Sequence, residues 1–194
     1  MRKLIIAITG ASGSIYGVRV LETLKAMDGV ETHLVVSSAG YVTAASELEL
    51  SRKDIDGLAD HVYSDKNIGA AIASGSFATA AMLVAPCSMK TLASIANGMC
   101  NTLISRAADV ILKERRPLLL LVRETPLHLG HIRNMAAVTE MGGIVAPPVP
   151  AFYTRPESID DIVNHTVGRA LAGVGIDTGL VREWQGLGKT DPLS

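Results

Sequence analysis

Leu4-Ile5-Ile6-Ala7-Ile8-Thr9-Gly10-Ala11-Ser12-Gly13-Ser14 decides the fold, because a short apolar run passes through a glycine turn straight into a helix-patterned segment. A continuous apolar run of this length suits a strand buried on both faces, and such strands belong to parallel sheets covered by helices. The charged start at Arg2 and Lys3 does not make the segment a leader peptide, since the apolar run ends within a few residues and no small-residue cleavage pattern follows.

Working outward, similar short apolar runs stand at 33–36, 82–85, 118–122 and 144–146, each bounded by turn residues. Helix-patterned segments separate them at 14–26, 39–49, 88–97, 102–115, 128–140 and 158–172. This βα alternation predicts a Rossmann-like (flavodoxin-like), doubly wound parallel sheet with helices on both faces, a three-layer αβα arrangement. Ligands are expected outside the carboxyl ends of the strands. With 194 residues, 48% hydrophobic and only 4% aromatic, the chain fits one domain whose core is built from Ala, Val, Ile and Leu. That domain is expected over 1–172, followed by an arm at 173–194 that contains Trp184 and docks on the domain or on a neighbouring subunit.

A net charge of −1 supplies no broad field for nucleic acid or for an anionic membrane, so any anion must be held locally. No apolar stretch approaches the ~18–20 residues that span a bilayer. Cys87 and Cys100 form neither a CxxC pair nor a zinc-module spacing, which points away from disulfides and towards a reducing compartment, the cytoplasm.

The turn Thr9 to Gly13 puts flexible backbone and helix N–H groups where a phosphate can bind. Its glycines, at 10, 13 and 17, miss the GxGxxG spacing, and the second strand ends in Ser37-Ser38 without a ribose-gripping acid. A mononucleotide such as FMN therefore fits better than NAD, although a glycine turn of this kind also occurs without any ligand. A second strand-to-helix turn, Pro86-Cys87-Ser88-Met89-Lys90-Thr91, offers hydroxyls and N–H groups for the same ligand, or a plain helix cap at Ser88. Cys87 lacks the histidine arrangement of a nucleophile. The small-residue loop at Ser74 permits close approach of a ring or phosphate, and is otherwise a connector.

Arg106, Asp109 and Lys113 share one helix face, either as cations set by a carboxylate or as a solvated salt-bridged stripe. Arg123-Glu124 follows a buried strand directly, which makes the pair an anion clamp plus acid/base candidate. His128 and His131 lack a third ligand at a telling spacing, so capping or surface roles are expected and no metal. The stiff segment Pro147-Pro148-Val149-Pro150 holds Tyr153, and Arg169 lies on the helix that follows.

Taken together, TGASGSIYG, SGSF, PCSMKTL, RAADVILKERRPL, RETPLHLGHIRNM and PPVPAFYTRP resemble the UbiX-type flavin prenyltransferases over nearly the whole chain. The resemblance implies reduced FMN against Gly10, Ala11, Ser12, Ser37, Ser88, Met89, Lys90, Thr91 and Arg123. It implies dimethylallyl phosphate held by Ser74, Arg106, Lys113, Tyr153 and Arg169, with Ser12, Glu47 and Glu124 as catalytic residues. The expected reaction joins the allyl carbon to flavin N5 and then C6 without a metal, giving prenylated FMN for a UbiD-type decarboxylase. Large homo-oligomers with sites shared between subunits are implied as well, taken here as dodecamers. The rivals are an FMN-dependent cysteine decarboxylase of the same fold, whose PASANT motif is absent, and a non-catalytic carrier of prenylated flavin.

Overall fold

A computed structural model of the chain describes residues 1–181 and Gly186, so Trp184 and most of the expected arm beyond it lie outside the described residues. Among the described residues six parallel strands form the sheet: β1 (Arg2–Ile8), β2 (Val30–Val36), β3 (His61–Ser64), β4 (Ala81–Cys87), β5 (Leu118–Val122) and β6 (Ile144–Val145). Their order is β3-β2-β1-β4-β5-β6. This is the Rossmann order rather than the flavodoxin one, and its switch point falls between β1 and β4, where the crossovers depart in opposite directions.

Among the described residues seven α-helices cover the sheet: α1 (Ser14–Lys25), α2 (Ser38–Leu48), α3 (Arg52–Asp56), α4 (Met89–Ala96), α5 (Leu103–Lys113), α6 (Leu129–Glu140) and α7 (Ile159–Gly173). Alternation along the central strand sends Leu4, Ile6 and Ile8 to one layer with α1 and α7, and Ile5 and Ala7 to the other with α4 and α5. Both layers are built from buried apolar side chains, and each fully buried Leu or Ile stabilises the fold by about 1.5–3 kcal/mol over leaving it exposed. Gly17 lets α1 lie directly on the sheet, since a Cβ there would stand 2.2 Å from the carbonyl oxygen of Ala85.

Two elements were not expected from sequence. Strand β3 lies at the sheet edge, and His-Val-Tyr-Ser there carries no apolar run because only one long edge and part of one face are covered. Helix α3 is a single short turn set by a capping box between Ser51 and Asp54. Beyond α7, Val174 and Ile176 are buried in the α1/α7 layer, and Arg2 Nη1 donates to the Gly175 carbonyl at 2.7 Å. No described helix is long and apolar enough to cross a membrane.

Candidate functional site

At the switch point the turns that follow β1 and β4 are tied together by one buried hydroxyl. Thr9 Oγ1 donates to the Pro86 carbonyl at 2.8 Å and accepts from the Ser88 N–H at 2.8 Å. The neighbouring turns are pinned in the same way, Ser37 N–H donating to Ile8 O at 3.0 Å and Arg123 N–H to Cys87 O at 3.1 Å. Four strand ends thus present Gly10, Ser37, Ser88 and Arg123 along one edge.

Between them opens a cleft of about 410 Å³, lined by Gly10, Ser37, Ser88, Lys90, Thr91 and Thr102 among others. Three helices point their N-termini into it. Ser37 caps α2 by accepting from Gly40 N–H at 3.0 Å, Ser88 caps α4 through Thr91 N–H at 3.3 Å, and Thr102 caps α5 through Ser105 N–H at 3.3 Å. Asp65, just past β3, takes up two more α5 donors: its carbonyl accepts from Leu103 N–H at 2.8 Å and its carboxylate from Ile104 N–H at 3.0 Å. The α5 end is therefore saturated, whereas α4 keeps the N–H groups of Met89 and Lys90 for an incoming anion.

The first glycine turn plays a different part from the one its sequence suggests. The Glu47 carboxylate accepts from Gly13 N–H at 3.0 Å and from Ser14 N–H at 2.9 Å, so the α1 N-terminus is occupied by a side chain from α2. Partial removal from solvent pushes the Glu47 pKa up, but hydrogen bonds from the Ser12 hydroxyl and from the Ser14 and Gly13 N–H groups outweigh it and hold the carboxyl below its ordinary value. Ser12 and Glu47 are thereby brought together. Gly10 is required for packing: a Cβ there would lie 2.4 Å from the Ala39 Cβ, at the start of α2. Ala11 is buried in the same turn.

Arg123 and Glu124 are exposed past β5, where the Glu124 carboxylate accepts from Thr125 N–H at 3.0 Å. On the α7 side of the sheet, Arg169 and His165 line a second cavity of about 240 Å³ with Leu121, Ala146 and Pro147. The Tyr153 hydroxyl lies 3.3 Å from His165 Nε2. Loss of solvent, and then the charge of Arg169, lower the His165 pKa.

Arg106, Lys113 and Ser74 stand elsewhere. Helix α5 runs antiparallel to the strands, its start fixed by Asp65 at their carboxyl ends and its far end by Arg116, which donates to Phe77 O at 3.0 Å and to Gly75 O at 2.9 Å ahead of β4. Lys113, paired with Glu114, and the Ser74 loop therefore lie at the sheet edge opposite the cleft, ~16 Å away along the helix. Arg106, in the first half of α5, is held by Asp109 at 2.8 Å. The five side chains expected around one phosphate thus fall in three places on a single chain. Thr9, Asp65, Thr102 and His165 were missed in sequence: each acts through a contact more than ten positions away or through a cap, and only the S/T-x-x-S spacing at Thr102 carries a local sign.

Residues 1–171 match the family described as Flavoprotein. The chain is 59% identical over 187 residues to the flavin prenyltransferase UbiX of Neisseria meningitidis serogroup B, covering 96% of this chain and 98% of that protein. Among solved structures it resembles AnUbiX (PadA1) in complex with FMN and dimethylallyl pyrophosphate, with TM-score 0.93, 46% identity, and coverage of 96% of this chain and 98% of the other. It also resembles a dodecameric FMN-dependent Ubix-like decarboxylase from Escherichia coli O157:H7, with TM-score 0.92, 48% identity, and coverage of 95% and 100%.

Proposed function

The chain belongs to the flavoprotein family and, within it, to the UbiX flavin prenyltransferases, and from that premise we propose how its own residues carry out prenyl transfer from dimethylallyl phosphate to reduced FMN. The observation that carries the residue-level reading is the cleft of about 410 Å³, within the usual size of small-molecule sites, with the open N-termini of α2 and α4 and the Lys90 ammonium at its wall. A phosphate-bearing flavin matches that donor set. Ser37, Ser88, Met89, Lys90 and Thr91 hold it, Gly10, Ala11 and Ser12 leave room for its ring, and Arg123 supplies charge at the β5 end.

When bound, reduced FMN supplies the nucleophilic N5, followed by C6, and the product prenylated FMN serves a UbiD-type decarboxylase. The protein's task is to draw off the departing phosphate. Its negative charge grows as the allylic C–O bond breaks, so fixed cations stabilise the transition state more than the ground state, and no metal is needed. Arg106, Lys113 and Arg169 provide those cations, with Ser74 and Tyr153 as hydroxyl donors. Glu124 and Ser12 manage protons, while Glu47, kept anionic, fixes the Ser12 hydroxyl.

Because Ser74 and Lys113 stand at the opposite sheet edge, the reading requires a neighbouring copy to bring them, which suits a dodecamer with shared sites. Residues 1–172 are read as one flavoprotein domain with 173–194 as its arm, and the two free thiols accord with the cytoplasm. The cysteine decarboxylase rival is disfavoured by the absent PASANT motif. Separately, Cys87 is unsuited to a nucleophile's role, its thiol being fully buried and pushed far above its ordinary pKa by that burial.

Incubation of the purified chain with reduced FMN and dimethylallyl phosphate, followed by mass spectrometry of the flavin, tests the proposal. A gain of one five-carbon unit is expected. Flavin recovered at unchanged mass would leave only the carrier or decarboxylase readings.

A further inference from the structure

Away from the cleft, three side chains converge between β2 and the edge strand. His33 pairs across the sheet with His61, and Glu31, two residues before His33, shares its face. Glu31 Oε1 lies 3.1 Å from His33 Nε2 and 3.0 Å from His61 Nε2. All three donor atoms fall within 4.8 Å of one another.

We propose that Glu31, His33 and His61 bind one divalent metal ion of the zinc class, which clips the edge strand β3 to β2. Donor atoms ~2.1 Å from a tetrahedral zinc stand roughly 3.4 Å apart. The His33 and His61 rings, stacked at 14° with centroids 4.8 Å apart, must turn to direct both Nε2 lone pairs at one ion. An independent observation points the same way. His33 is 1% exposed, and its Nε2 makes no hydrogen bond among the described residues, the Glu31 oxygen 3.1 Å away being near enough but out of line. A buried nitrogen whose nearest carboxylate is poorly aligned is costly, and coordination would satisfy it.

The surroundings complete a metal site. His33 Nδ1 lies 3.0 Å from the Tyr63 hydroxyl, the outer contact that orients a ligating imidazole. Phe77 packs edge-on to His33 at 5.2 Å and shields one side, while the His61 side chain, 51% exposed, leaves the other open for entry and for a water ligand. The single carboxylate offsets the ion's charge beside Lys3, whose ammonium sits 4.3 Å over the Phe77 ring. Two imidazoles and one carboxylate favour zinc, nickel or cobalt over magnesium or calcium, which prefer all-oxygen sites. Counted along β2, His33 is ~13 Å from Ser37, so the ion takes no part in prenyl transfer. Its effect is on β3, which among the described residues has β2 as its only strand neighbour and leads straight into Asp65, which accepts from the start of α5 at the cleft wall.

The full chain, stripped of metal by a chelator, is titrated with zinc by calorimetry and with cobalt by visible absorption. One ion per chain is expected, with a cobalt spectrum free of thiolate charge transfer and a melting temperature that rises with the logarithm of zinc concentration. His61→Asn and Glu31→Gln, checked for cooperative melting without metal, should each bind zinc about tenfold more weakly or worse. Absence of saturable binding, binding unchanged in both variants, a thiolate band, or loss of binding in Cys100→Ser or His131→Asn would each overturn the assignment.

Discussion

Glu47 turns its carboxylate onto the N–H groups of Gly13 and Ser14, so that the turn richest in phosphate-site character in the sequence is filled from within the chain. The places of Arg123 and Glu124 past β5 were legible because the pair directly follows a strand that the sequence marks plainly. The partnership of Glu47 with Ser12 was not, because 34 residues separate Glu47 from Gly13 and nothing local records the approach of α2 to the α1 terminus. Removing the carboxylate in Glu47→Ala should cost about 1 kcal/mol, as loss of a helix cap does. The pH dependence has a definite sign. The folded-state pKa is depressed, so the contribution is fully present above the ordinary value of 4.5 and is lost as pH falls through the lower folded value. Thermal melts of wild type and Glu47→Ala should differ at neutral pH and converge in acid, and a gap unchanged across that window would remove Glu47 from its capping role.

At the scale of elements, the cap of α4 could be read in advance from Ser88, a hydroxyl residue standing between a buried strand and a helix pattern, whereas the Ser37 cap of α2 emerges only in the structure. Strand β3 could not, since an edge strand with one covered face needs no apolar run, and with it went the positions of Asp65 and His61. Glu31 and His33 carry a weak sign, two ligand types spaced for one face of a strand, which means little until β3 places His61 opposite. The α4 cap doubles as a wall of the cleft, so Ser88→Ala joins two effects in one change. It should lower stability by about 1 kcal/mol through the lost cap. It should also weaken FMN binding roughly tenfold or more, as expected when a hydrogen bond to a charged phosphate is removed. Fluorescence titration of FMN alongside thermal melts separates the two, and full FMN affinity in a destabilised variant would confine Ser88 to capping.

For the whole molecule, sequence pattern gives residues an order along the chain and an edge of the sheet, but not a neighbour in another subunit. Arg106, Lys113, Ser74, Tyr153 and Arg169 match a family motif by motif, yet one chain spreads them over two faces and two edges of the sheet. A single protomer cannot close five side chains around one phosphate from such positions, and closed symmetric assembly is the ordinary way to bring opposite edges of identical chains together. This makes a sharp prediction for mixed assemblies. Lys113→Ala should lack a cation for the leaving phosphate, and Glu124→Gln should lack a proton-handling group, so each homogeneous variant should form prenylated flavin far more slowly than wild type. If Lys113 serves the site that holds its neighbour's Glu124, random co-assembly of the two variants in equal amounts leaves about a quarter of the sites with both residues intact. Co-expressed mixed oligomers should then recover roughly that fraction of wild-type product formation, read by flavin mass. If both residues act within one chain, no mixed site is intact and activity stays at the level of the separate variants, which would return the phosphate-binding cations to a single protomer and require α5 to move.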